Sequence, residues 1–68
     1  MIRLKINGAE AEVPVHTVAE LLAARGIDTS ARFLAVAVNG TVVRRSEWPA
    51  TALSAGDDVE IVRPLQGG

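Results

Sequence analysis

Thr17-Val18-Ala19-Glu20-Leu21-Leu22-Ala23-Ala24-Arg25-Gly26 is the stretch where the repeat of the chain changes. Before it, apolar residues recur at every second position. Within it, Val18, Leu21 and Leu22 fall at i, i+3 and i+4, the stripe of a helix laid on an apolar surface. Thr17 and Glu20 have the capping-box spacing, in which a hydroxyl and a carboxylate three residues on satisfy each other's backbone donors. Gly26 stands where a left-handed residue closes a helix. The helix predicted here is about two turns or slightly more, too short to hold alone in water. It needs a sheet.

Strands are predicted on both sides of it. Ile2, Leu4 and Ile6 alternate with Arg3 and Lys5, a half-buried strand. Asn7-Gly8 follows, a hairpin signal because both residues tolerate positive φ. Ala11, Val13 and Val15 then face one way and Glu10 and Glu12 the other, so Arg3 and Lys5 can pair with the glutamates across the strands. Pro14 lacks a ladder donor and points to an edge strand. After a loop through Asp28, Thr29 and Ser30, Phe33 to Val38 is apolar on both faces, as in an interior strand. Leu34, Val36 and Val38 are expected to face the helix, leaving Ala35 and Ala37 as a small, flat apolar area behind.

Asn39-Gly40 marks a second hairpin into Thr41-Val42-Val43-Arg44. Ser46-Glu47-Trp48-Pro49 reads as a capped turn or one helical turn, with Trp48 assigned to the core. Leu53 is expected to plug the bottom of the core, and Ala55-Gly56-Asp57-Asp58 to turn tightly. The last strand is Val59-Glu60-Ile61-Val62, with Val59 and Ile61 inward. Two hairpins thus flank one helix, and the final strand lacks a partner. Pairing it in parallel with the first strand centres both and gives a β-grasp, an α+β fold with a mixed sheet of four to five strands curled over one helix. A small α+β sandwich with another strand order shares the same periodicity.

Sixty-eight residues make one domain. With no cysteine and a single histidine, neither a disulfide nor a metal cluster is expected to support it. At 49% hydrophobic with two aromatics, the core should be mainly aliphatic. Seven basic and eight acidic residues are interspersed for a net charge of −1, which argues against nucleic acid as a partner. No segment has the length of a membrane span and no signal pattern opens the chain, so the expected location is cytoplasmic. Nothing requires more than a monomer.

The polar residues suggest no enzyme. His16 reads as a strand-end surface residue, Ser46 as a turn or cap residue without a base partner, and Asp57-Asp58 as a turn. Neither Asn-Gly pair opens a helix, so neither is a phosphate cradle. What remains is the end of the chain, Arg63-Pro64-Leu65-Gln66-Gly67-Gly68. Residues 1–62 are read as the folded domain and 63–68 as a flexible tail. Glycine has no Cβ and can enter a slot closed to other residues. A terminal diglycine therefore presents its carboxylate on a thin leash that another protein can grip. Pro64 starts that leash in extended form. The group expected to react is the α-carboxylate of Gly68.

Val36-Ala37-Val38-Asn39-Gly40-Thr41-Val42-Val43, then Arg45-Ser46-Glu47-Trp48, then Gly56-Asp57-Asp58-Val59-Glu60-Ile61-Val62 and the diglycine resemble, in content and spacing, the ThiS family of ubiquitin-like sulfur carriers. The opening strand with Asn7-Gly8 also fits, so the resemblance covers essentially the whole chain. Arg44 departs from it, standing where proline is common. The resemblance implies a carrier and not an enzyme. An E1-like enzyme would use ATP and magnesium to adenylate Gly68, and the adenylate would become a thiocarboxylate. Sulfur would come from a donor enzyme such as a cysteine desulfurase and pass to a thiazole synthase building the thiazole ring of thiamine. No cofactor would be bound by the carrier itself. Leu65, Gln66 and Gly67 would thread into the activating enzyme. Partners would dock on the sheet face away from the helix, on Ala35, Ala37 and Val62, with Glu60 and Arg63 as a charged rim. Other readings are the small subunit of molybdopterin synthase, a carrier for another metabolite, a ubiquitin-like modifier, or an interaction module whose diglycine is inert.

Overall fold

A computed structural model describes residues 1–63 of the chain. The opening alternation forms β1 (Ile2–Ile6), and the second strand is β2 (Ala9–Val13). They pair antiparallel from Ile2 opposite Val13 to Ile6 opposite Ala9. The two residues between them, Asn7 (φ 49°) and Gly8 (φ 85°), are both left-handed, as the right-handed twist of a two-residue hairpin requires. Pro14 lies just past β2, which is an edge strand. Lys5 stands opposite Glu10, but among the described residues the ion pair across this hairpin is Arg3 with Glu12, 3.8 Å apart and exposed. Such a pair adds about 0–1 kcal/mol.

The helix α1 (Val18–Ala24) follows the expected cap with one difference. Thr17 Oγ1 accepts from the Glu20 N–H at 3.1 Å, but the Glu20 carboxylate accepts from His16 N at 2.7 Å and not from Thr17. It reaches one residue further back, and Thr17 itself pairs in a bridge with Ala52, where Leu53 N donates to His16 O and Val18 N to Thr51 O. At the other end Gly26 (φ 71°) is left-handed, with its N–H on Ala23 O and the Ile27 N–H on Leu22 O. Those two bonds make a Schellman cap. Val18, Leu21 and Leu22 are fully buried against the sheet.

The loop from α1 turns on Asp28, whose Oδ1 accepts from both the N–H and the hydroxyl of Ser30 at 2.9 and 2.6 Å. Those bonds, with a smaller contribution from Arg45, hold its carboxyl below the usual carboxylate range. The next strand, β3 (Ala35–Val38), is shorter than the apolar run suggests. Phe33 lies outside it and is 69% exposed. Ala35 pairs with Val62, the last residue of β5, and the ladder to β4 ends at Val36 opposite Val43. Among the described residues no strand lies beside Phe33 or Leu34 to pair with, and the chain turns.

Asn39 and Gly40 turn β3 into β4 (Thr41–Val43) with the same left-handed pair of residues. A 3-10 helix spans Arg45–Ala50, and Ser46 caps nothing in it; the residue at its start is Arg44, without a side-chain cap. Trp48 is buried to 3% exposure, donates its indole N–H to Val43 O at 2.9 Å and lies under the Arg45 guanidinium at 4.9 Å. Arg45 also donates to the carbonyls of Thr29 and Ala31, tying this helix to the loop after α1. Leu53 is buried, and a turn at Gly56 (φ 90°) opens β5 (Asp58–Val62).

The five strands run in the order β2-β1-β5-β3-β4, with β5 parallel to β1 and antiparallel to β3. This is the mixed sheet of a β-grasp. Leu4, Leu21, Leu22, Val18, Val36 and Val59 are the large side chains shut off completely between sheet and helix. Each contributes roughly 1.5–3 kcal/mol by leaving water.

Candidate functional site

β5 is the central strand and the last element among the described residues. Val59 and Ile61 are buried on its inner side, so the period of two puts Asp58, Glu60 and Val62 on the outer face of the sheet. Registry then assembles the rest. Ala35 lies opposite Val62 and Ala37 opposite Glu60, while on its other side Ala37 faces Val42. Ala35 is exposed, Ala37 half-buried and Val62 60% exposed; Glu60 and Arg63 are exposed. Four of the candidate docking residues, Ala35, Ala37, Glu60 and Val62, are therefore gathered on the outer face along β5, and Arg63 follows Val62 in the chain.

Val42, 73% exposed, is the member of this patch that the sequence reading did not single out. The signal was present. A two-residue loop at Asn39-Gly40 puts Val38 opposite Thr41, and one step further puts Val42 beside Ala37. Val42, Ala37, Ala35 and Val62 thus form a continuous apolar strip. The other half of the same face is charged: Arg3 beside Glu12, and Lys5 between Glu10 and Asp58. An open concavity of about 540 Å³ on that half is lined by Lys5, Asn7, Gly8, Asp58 and Glu60. A second, of about 230 Å³, is lined by Arg3, Leu4, Lys5, Glu10 and Gly56. Neither has a nucleophile beside a base.

Two asparagines hold β5 from opposite sides. Asn7 Oδ1 accepts from Ile61 N at 2.7 Å and its Nδ2 donates to Ile61 O at 3.2 Å, so the amide replaces a strand residue where β1 has ended. Asn39 Oδ1 accepts from Asp58 N at 2.9 Å, and its Nδ2 donates to Asp57 Oδ1 at 3.0 Å. Asp57 also accepts from Ser54 N at 2.8 Å, which makes it a turn residue. His16 is exposed at the start of α1. Among the described residues no three of His, Cys, Asp or Glu are placed to hold a metal, and no helix is long and apolar enough to cross a membrane.

The remaining candidates, Leu65, Gln66, Gly67 and Gly68, lie outside the described residues, as does Pro64.

A model of the ThiS family matches residues 4–68. Among solved structures, the crystal structure of a thiamine biosynthesis protein (ThiS) from Geobacter metallireducens is similar at a TM-score of 0.80 and 33% identity, over 98% of this chain and 100% of that one. A solution structure of a thiamine biosynthesis protein from the same organism is similar at 0.79 and 33%, over 98% of this chain and 88% of that one. No curated protein matches.

Proposed function

The chain belongs to the ThiS family, and on that premise we propose that it is a sulfur carrier for the thiazole ring of thiamine, with Gly68 as the group that carries the sulfur. The observation behind this reading is that the family match runs through Gly67 and Gly68. The chemistry follows from the weakness of a carboxylate as an electrophile. One oxygen of Gly68 attacks the α-phosphate of ATP, pyrophosphate leaves, and the acyl carbon now bears AMP as a good leaving group. The terminal sulfur of a persulfide on a donor enzyme such as a cysteine desulfurase then displaces AMP to give an acyl disulfide. A thiol that attacks the donor's sulfur of that bond releases the thiocarboxylate and ends as a disulfide with the donor. Magnesium and ATP belong to the E1-like activating enzyme. The thioacid is a soft nucleophile that stays covalently held until a thiazole synthase takes the sulfur. Such chemistry requires ATP, which supports a cytoplasmic location for the carrier.

On this reading the carrier supplies grip and reach. The apolar strip of Ala35, Ala37, Val42 and Val62 is the docking surface. Glu60 and Arg63 orient the partner more than they bind it, as rim charges generally do. Leu65, Gln66 and Gly67 enter the activating enzyme ahead of Gly68.

Intact mass after incubation with the activating enzyme, ATP and a sulfur donor tests the reading. The expected result is a gain equal to sulfur replacing one oxygen, absent when Gly68 is deleted. An unchanged mass with an activating enzyme of demonstrated activity would overturn it in favour of a non-covalent interaction module.

A further inference from the structure

Both hairpin turns consist of asparagine followed by glycine, and both asparagines have work beyond the turn. Asn-Gly is also chemically labile. The glycine nitrogen, on losing its proton, attacks the asparagine Cγ, with no Cβ on the glycine to hinder the approach. The bond to the side-chain nitrogen breaks, ammonia leaves, and a five-membered succinimide forms. Water opens that ring to aspartate or to isoaspartate. The net change is water in and ammonia out, with no oxidant or reductant. Gly8 and Gly40 are exposed, and among the described residues neither donates its N–H to a protein acceptor.

The fold treats the two sites differently. Asn7 is held by two bonds to the backbone of Ile61 in a partly buried setting, within a hairpin of five residue pairs. Asn39 is held by exposed bonds, one of them to the Asp57 side chain, in a hairpin of three pairs. Attack on Cγ requires the amide to let go of β5 and rotate towards the following nitrogen. Release is easier at Asn39.

We propose that Asn39 is a modification site, deamidated spontaneously in the folded protein ahead of Asn7, and that its conversion loosens the start of β5. An aspartate there still accepts from Asp58 N but no longer donates to Asp57. Two carboxylate oxygens then face each other where a hydrogen bond of 3.0 Å stood, and like charges at that distance resist sharing a site. Isoaspartate would in addition lengthen the backbone within a two-residue turn that sets the pairing of β3 with β4.

Peptide mapping by mass spectrometry, after incubation of the folded chain at mildly alkaline pH, tests the site. Product at Asn39 should accumulate about fivefold faster than at Asn7, the ratio that an amide release easier by about 1 kcal/mol makes. In denaturant the two rates should converge, since glycine follows both. Equal or faster conversion of Asn7 in the folded chain overturns the proposal, and so does full protection of Asn39 there. For the consequence, Asn39→Asp should lower the thermal midpoint, and Asp57→Asn added to it should recover most of the loss by restoring a donor opposite the new carboxylate. An unchanged midpoint in Asn39→Asp, or no recovery in the double variant, overturns the loosening.

Discussion

Asn7 shows how much one side chain carries in a domain this small. Its backbone makes the turn and its amide makes two bonds to Ile61, 54 residues away in sequence. Asn7→Gly separates the roles, because glycine keeps the left-handed turn and removes the amide. The backbone groups of Ile61 would lose these partners, a change of about 1–3 kcal/mol. We expect urea denaturation of Asn7→Gly to show a midpoint lowered accordingly, with an unaltered m-value. A wild-type midpoint would mean that water replaces the amide at no loss. Glu20 is a milder case, since its carboxylate takes the N–H of His16 at the entry to α1 and Glu20→Ala removes an exposed bond.

At the scale of elements, α1 depends on its ends because it is only seven residues long. Thr17→Ala should destabilise the protein by about 0.5–2 kcal/mol through the lost cap. Gly26→Ala meets no steric obstacle around its Cβ but forces alanine to φ 71°, which costs about 1–2 kcal/mol. Thermal melts of the two variants and of the double variant check this, and the two losses should add, since the sites lie at opposite ends of the helix. The 3-10 helix depends instead on Trp48. Trp48→Phe keeps a ring in the core but leaves the Val43 carbonyl without its indole donor. We expect a loss of about 1–3 kcal/mol for that orphaned acceptor, read as a shift in the urea midpoint.

The whole molecule divides its outer sheet face into a charged half on β1 and β2 and an apolar half on β3, β4 and the end of β5. Val62 and Val42 are large, exposed and on the apolar half. If partners dock there, Val62→Asp and Val42→Asp should slow activation at Gly68 by tenfold or more, about 1.4 kcal/mol, while folding stability changes by no more than about 1 kcal/mol. Activation at the normal rate by folded variants would remove the docking surface and leave the carrier chemistry standing. Most of the fold was legible beforehand because its signals are local. Alternation assigned β1, β2 and β5, left-handed turn residues located both hairpins, and cap spacing bounded α1. Of the candidate site, Ala35, Ala37, Glu60 and Val62 could be assigned to one face by the same alternation. Val42 was missed because its neighbour had to be counted through a turn.

Sequence alone determined the order of the elements, the two hairpins, both ends of α1 and the likeness to sulfur carriers. Each of these rests on stereochemistry within a few residues or on motifs kept in order along the chain. Only the tertiary structure decided where β3 begins, where the Glu20 carboxylate goes, how Arg45 and Trp48 bind the loop after α1, and that both turn asparagines clamp β5. Those outcomes depend on groups brought together by burial of the shared core. A strand ends where its neighbours end, and an amide finds its partner only when a residue 54 positions away has been placed beside it.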